Sequence, residues 1–283
     1  MTSFSKKIIL IPFYLFYNLG NLYSLILFFF KNKNYSKWFD LCNREISKKF
    51  INIAHNFRGK KIFLKFYTPN SRCKARVETF SSKEPETLNW IDRQLNNGVF
   101  FDVGANIGLY SIYYAKIKRG KVYSFEPSVY NLEQLSKNVN LNNLQKKITI
   151  ISNPLNDKNK ISQLIYNNID KGGSGIFFEG KTEIKKKDEK EKFSYLSLGL
   201  KLDHLTEKGL IEYPNCIKLD VDGNEKLIIA GSKKTLIHKK CRSILVESNS
   251  LNDLNLITKI LRNLGFKYNY KESSNINKVF NKF

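Results

Sequence analysis

Residues Val99 to Ile112, VFFDVGANIGLYSI, constrain this chain more than any other stretch. An apolar run leads to Asp102, then to Gly104 and Gly108, and on into a helix-compatible segment. The pattern predicts a buried strand, a tight turn and a helix start. A glycine at such a turn lets the backbone reverse sharply and lets a ligand approach, because no Cβ stands in the way. The following helix aims its N-terminal amides at whatever the turn holds. A pyrophosphate cradle of the dinucleotide type requires G-x-G-x-x-G. Started at Gly104, that template demands glycine where this chain has Asn106 and Leu109, so it fails twice. An ordinary strand-to-helix connection would account for this stretch taken alone.

The next segment narrows the reading. Lys121-Val-Tyr-Ser-Phe-Glu126-Pro127 is a second short apolar strand ending in an acid. Glu126 falls where the acid of a second strand accepts both hydroxyl protons of a ribose. Strand and helix patterns then alternate: a helix over Leu109 to Lys118, one from Ser128 to Leu141, and a strand at Ile148 to Ile151. Further strands are expected at Asn215 to Asp220 and Ser243 to Glu247, and a helix from Leu251 to Gly265. Phe266 to Tyr270 and Lys278 to Phe280 supply the last two strands. This order argues for a parallel sheet with helices on both faces. Four carboxylates, Asp102, Glu126, Asp220 and Glu247, then stand at strand carboxyl ends, with Asp222 and Glu225 beside them. In an open parallel sheet those ends share one crevice, where ligands bind.

The segments outside this pattern carry less chemistry. Asn153 to Leu200 breaks the rhythm; it holds a glycine turn, Asp170 to Gly175, and a mixed-charge run, Lys181 to Lys192, expected to be a solvated excursion. Lys31 to Arg58 is basic and helix-compatible, Gly59 to Tyr67 reads as a strand, and Glu84 to Asp92 as a helix with Pro85 in its first turn. Residues Ile8 to Phe30 carry no charge and are flanked by Lys6, Lys7, Lys31 and Lys33. That run is long enough for a membrane helix, and its basic flank favours an anionic, cytoplasmic leaflet. The net charge is +23, from 48 Lys and Arg against 25 Asp and Glu. Such a balance favours anionic partners. No dense basic run interleaved with aromatics accompanies it, so nucleic acid is not expected. Cys42, Cys73, Cys216 and Cys241 are isolated, and His55, His204 and His238 are scattered, which excludes a C-x-x-C device and a zinc site by spacing.

Phe101-Asp-Val-Gly-Ala-Asn-Ile-Gly, Phe125-Glu-Pro, Ile217-Lys-Leu-Asp-Val-Asp-Gly-Asn-Glu and Ile244-Leu-Val-Glu resemble, as an ordered set, the signature segments of FkbM-family S-adenosylmethionine (SAM) methyltransferases. The resemblance spans roughly Arg76 to Tyr268. It implies a class I, Rossmann-like methyltransferase fold with a mostly parallel seven-stranded sheet in the order 3-2-1-4-5-7-6. It also implies transfer of a methyl group from SAM to a hydroxyl of a sugar, polysaccharide precursor or related metabolite. Family members often carry Glu where this chain has Asp222. The expected cofactor contacts are Asp102, Gly104, Asn106 and Gly108 around the methionine part, and Glu126 with Pro127 at the ribose. Asp220 is the first candidate to take the acceptor's proton, with Asp222 and Glu247 next and His204 behind them. Asp220 and Asp222 are Mg²⁺-ligand types, but no metal is assigned. The expected organisation is an apolar membrane-associated segment over 1–34, a basic extension over 35–95 packed on the core, and the methyltransferase domain over 96–283. The domain is expected in the cytoplasm, held at an anionic membrane surface through residues 8–30. A different class of function, a non-catalytic SAM-binding scaffold on the same fold at a membrane, would share all of these features except turnover.

Overall fold

A computed structural model describes residues 47–179, 193–248 and 250–282, together with residues 12, 14–20, 22, 23, 26, 44 and 45. The chain divides into two compact units, Met1–Lys49 and Phe50–Phe283. In the first, the described residues between 12 and 26 are helical. Most of the apolar run and of the expected 1–34 segment lies outside the described residues, as does the charged excursion at Lys181 to Lys192. Among the described residues no helix is long and apolar enough to cross a membrane.

The second unit opens with a hairpin of β1 (Phe50–Phe57) and β2 (Lys60–Tyr67), paired from Phe50↔Tyr67 to Phe57↔Lys60. Arg58 and Gly59 make its two-residue turn, both at positive φ (51° and 79°), the combination a tight hairpin turn requires. This corrects the helical reading of the end of the basic stretch. FINIAHNF alternates exposed and half-buried positions with period two, so one face packs and the strand wins. Helices α1 (Ser71–Glu78) and α2 (Pro85–Arg93) follow. Asn70 caps α1 by accepting from the Cys73 N–H at 2.8 Å, and Pro85 begins α2. The helix ends four residues before the Asn97-Gly98 stop expected for it.

The central sheet is built from β3 (Val99–Val103), β4 (Lys121–Phe125), β5 (Ile148–Ile151), β9 (Cys216–Leu219), β10 (Ser243–Glu247), β11 (Lys267–Tyr268) and β12 (Asn277–Asn281). Their spatial order is β11-β12-β10-β9-β3-β4-β5. Numbered within the sheet, that is 3-2-1-4-5-7-6 read from the β5 edge, with only β12 antiparallel to its neighbours. One face carries α3 (Leu109–Lys118) and α4 (Val129–Leu141), with Phe100, Ile112, Tyr114 and Leu135 in the core beneath. The other carries α5 (Leu202–Glu207), α6 (Glu225–Ala230), α7 (Lys233–Ile237) and α8 (Leu251–Asn263), over Phe101, Val103, Leu219 and Val246. A three-stranded antiparallel sheet of β6 (Lys160–Tyr166), β7 (Ile176–Phe178) and β8 (Phe193–Gly199), in the order β7-β6-β8, occupies the stretch where the sequence pattern breaks.

Strand alternation decides what faces where. Phe100, Cys216 and Leu245 lie beneath α2 and α3, and so, two residues on, do Asp102, Lys218 and Glu247. A row of charged side chains therefore runs along one sheet face, from under the helices to the strand ends.

Candidate active site

The turn after β3 is held by its neighbours. The N–H groups of Gly104 and Ala105 both donate to the Phe125 carbonyl at 3.0 Å. Gly104 sits at φ +84°, and a Cβ there would lie 1.8 Å from the Asp220 carbonyl oxygen. Only glycine lets β3 and β9 exit side by side. Asn106 occupies the left-handed region at φ 51°, which Asn tolerates better than other side-chain-bearing residues. Its N–H thereby points at Glu126 and donates to Oε2 at 2.7 Å. Gly108 begins α3 at φ +87°; a Cβ there would meet Leu135 Cδ1 at 2.5 Å. Its requirement is close packing of α3 on α4, and it lines none of the cleft cavities.

Glu126 is buried at the end of β4. Besides Asn106 it takes the Ser128 N–H at 2.9 Å on Oε1. Burial pushes its carboxyl up to about 7, despite those hydrogen bonds, which act the other way. A carboxylate has about four acceptor sites, so two oxygens holding these N–H groups keep capacity for further donors. With Pro127 and Asn131 it lines a cavity of about 100 Å³.

Next to it lies a cavity of about 190 Å³, lined by Lys218, Asp220, Asp222, Glu247, Glu84 and Tyr110 among others. β9 ends at Leu219, Asp222 turns through φ 56°, and Asp220 and Asp222 line the same cavity. Lys218 is 1% exposed at its side chain, with Nζ 2.6 Å from Asp220 Oδ2 and 5.0 Å from the Tyr110 ring centroid. An isolated ammonium so buried would cost several kcal/mol; the carboxylates around it offset that. Burial would lower the Lys218 ammonium, but Asp220, Asp102 and Glu84 outweigh it and hold the group charged. Asp220 answers in kind: burial pushes its carboxyl up, yet Lys218 and hydrogen bonds from Glu247 and Lys218 hold it below the usual range.

Asp102 departs from its expected place at the cofactor. It is 0% exposed and lines none of the cavities. Its Oδ2 accepts from Ser111 Oγ at 2.5 Å under α3, its Oδ1 has no hydrogen-bond partner among the described residues, and it stands opposite Lys218 in register. Burial raises its carboxyl and Lys218 lowers it. The strand's alternation turns this acid inward as part of the Lys218 charge row. His204, on α5, lines none of the cavities either.

The glycine turn of Asp170 to Gly175 is strapped across the cleft. The Gly173 carbonyl accepts from Asn106 Nδ2 at 2.7 Å and Asn131 Nδ2 at 3.1 Å. The Gly172 carbonyl accepts from Arg76 Nε at 2.6 Å, and the Gly175 N–H donates to Asp222 Oδ2 at 2.6 Å. Beyond the strap lies an apolar slot that includes Phe125, Pro127, Leu155, Ile176 and Phe178. Sequence reasoning missed Arg76, Glu84, Tyr110 and Ser174, which all line the cleft. It quoted Lys218 without a role, although a lysine inside an apolar strand was a visible signal.

Three neighbouring spaces at the carboxyl ends of β3, β4 and β9, with glycine at the first turn and an acid after the second strand, define a class I methyltransferase-like α/β protein. Residues 102–268 match the family model described as the methyltransferase FkbM domain, more than half of the chain, and the protein belongs to that methyltransferase family. Among solved structures, methyltransferase FkbM from Methylobacillus flagellatus is 16% identical, with 67% of this chain and 44% of that chain covered and a TM-score of 0.44. This chain thus spans less than half the length of that protein. A precorrin-6y C5,15-methyltransferase from Geobacter metallireducens is 13% identical over 76% of this chain and 89% of its own, at a TM-score of 0.40. The fibrillarin pre-rRNA processing protein of Methanococcus jannaschii is 13% identical over 84% of each, at 0.43. No curated protein sequence matches the chain.

Proposed function

We propose that the protein binds SAM and methylates a hydroxyl on a sugar, polysaccharide precursor or related polar metabolite. The observation that carries the reading is Glu126: a buried carboxylate at the end of the second strand, held by the Asn106 amide, sharing its cavity with Asp220 and Asp222 and with Glu247 in the adjoining one. The donor set fits the cofactor part by part. Glu126 suits a ribose diol, and the charged junction beyond it a zwitterionic tail. When bound, SAM supplies an electrophilic methyl group on a sulfonium.

The chain's own residues do the rest. Gly104 and Asn106 shape the turn, and Glu126 accepts the ribose hydroxyls. Asp220, Asp222 and Glu247 surround the space left for the acceptor. Holding a hydroxyl in line there supplies most of the acceleration, and a carboxylate that takes its proton supplies more. Lys218 keeps Asp220 ionised but also makes it a weaker base, so Asp220 orients the hydroxyl and Glu247 is the alternative proton acceptor. The predominantly charged and hydroxyl-bearing lining supports a polar acceptor over an apolar one.

Calorimetric titration with S-adenosylhomocysteine tests the cofactor, and its formation from SAM with candidate glycan acceptors tests turnover. Asp220→Asn and Glu247→Gln should each retain S-adenosylhomocysteine binding within a few-fold and lose turnover by roughly 10²-fold. Binding without turnover for every acceptor would favour the scaffold reading. In the same reading, residues 8–30 attach the chain to a membrane and the catalytic unit works in the cytoplasm; the uncharged run and its basic flanks support this.

A further inference from the structure

We propose that Arg76, on α1, grips the carboxylate of the cofactor's amino-acid tail and makes the site selective for a cofactor that carries it. This rests on the cofactor reading above. Six residues line both the Glu126 cavity and the acidic cavity: Arg76, Gly104, Asn106, Ser174, Asp220 and Asp222. A molecule with its ribose on Glu126 and its reactive end among the acids must pass through this junction. The tail leaves the ribose there and carries an ammonium and a carboxylate. Asp222 suits the ammonium, with Asp220 beside it on the acceptor side. For the carboxylate they are repulsive, so a cation has to meet it.

Three cations line the two spaces. Lys218 is engaged with Asp220 at 2.6 Å and is 1% exposed. Lys83 lies 3.5 Å from a Glu84 carboxylate oxygen and lines only the acidic cavity. Arg76 lines both, and among the described residues it forms no ion pair within 4 Å; its Nε donates to the Gly172 carbonyl at 2.6 Å. That bond fixes one edge of the guanidinium on the strap and leaves the Nη groups as donors. A planar fork so anchored matches a carboxylate with two parallel hydrogen bonds, which an ammonium cannot supply. The strap and the arginine then act together: the Gly172 carbonyl aims the fork, and the fork receives the tail.

The test is a cycle between side chain and ligand. Affinities of SAM and decarboxylated SAM, identical but for the carboxylate, are measured by calorimetry on the full chain and on Arg76→Met and Arg76→Lys. Wild type should bind SAM about 10- to 100-fold more tightly than the decarboxylated form, as charge-assisted hydrogen bonds require. Arg76→Met should abolish that preference by weakening SAM alone, and Arg76→Lys should retain only part of it. Equal weakening of both ligands by Arg76→Met would make the residue a structural tether of the strap and overturn the proposal, and so would an unchanged preference. If Arg76→Met fails to fold, a full wild-type preference in Arg76→Lys overturns it equally. Wild type that binds neither ligand would defeat the cofactor reading itself, a result distinct from binding without preference.

Discussion

Glu126 ties the stability of the empty protein to its affinity for cofactor, and pH separates the two. Its carboxyl is displaced from 4.5 to about 7 by burial. The folded state therefore binds the proton more tightly than the unfolded chain. Across that window stability of the cofactor-free protein falls as pH rises, by about 3 kcal/mol at most. A ribose diol donates to the ionised form, so cofactor binding has the opposite sign and strengthens as pH rises through about 7. At about pH 5.5 only about 3% of Glu126 is ionised in the free protein, and S-adenosylhomocysteine affinity should be about 30-fold weaker than at about pH 8. The assay is calorimetry at several pH values, in buffers of different ionisation enthalpy, which also reads proton release on binding. Glu126→Gln cannot ionise; it should bind about 10- to 100-fold more weakly than wild type at about pH 8, with the pH dependence largely gone. A wild-type affinity flat between about pH 5.5 and 8, or the same slope in Glu126→Gln, would refute the argument.

Lys218→Met should cost about 3 kcal/mol in urea unfolding, because it leaves the buried Asp102 and the partly buried Asp220 without their cation; a loss under about 1 kcal/mol would mean that water, not Lys218, compensates them. Gly104→Ala should prevent folding or nearly so, since its Cβ meets backbone at 1.8 Å, whereas Gly108→Ala meets a movable Leu135 methyl at 2.5 Å and should be the milder change in a thermal melt. The full-length chain should pellet with membranes and resist a high-salt wash, and a chain beginning at Tyr35 should remain in the supernatant; full-length protein recovered there without detergent would exclude attachment.

The strands of the sheet were legible because most are short, apolar and followed by a helix signal, and these are local patterns; their order was implied by the family resemblance. The acids at strand ends were legible for the same reason. Which way each acid faces was not. Asp102 and Asp220 both end apolar runs, yet α3 covers the first and the second opens on a cavity; that depends on where a helix lands, not on the strand's own residues. β1 was hidden among basic residues, although its period-two alternation and the Arg58-Gly59 turn were there to be read. The β6–β8 sheet had weaker local signals, since its pairings join Lys160–Tyr166 to Phe193–Gly199 across the charged excursion. Arg76 had no signal at all: one arginine among 48 basic residues becomes part of the cleft only when the Gly172 carbonyl, almost a hundred positions away, reaches its Nε. Local sequence therefore determined the layers and the carboxyl-end crevice. Tertiary packing alone decided which charges were buried in pairs and which were left facing a ligand, because desolvation depends on neighbours that the chain brings together only by folding.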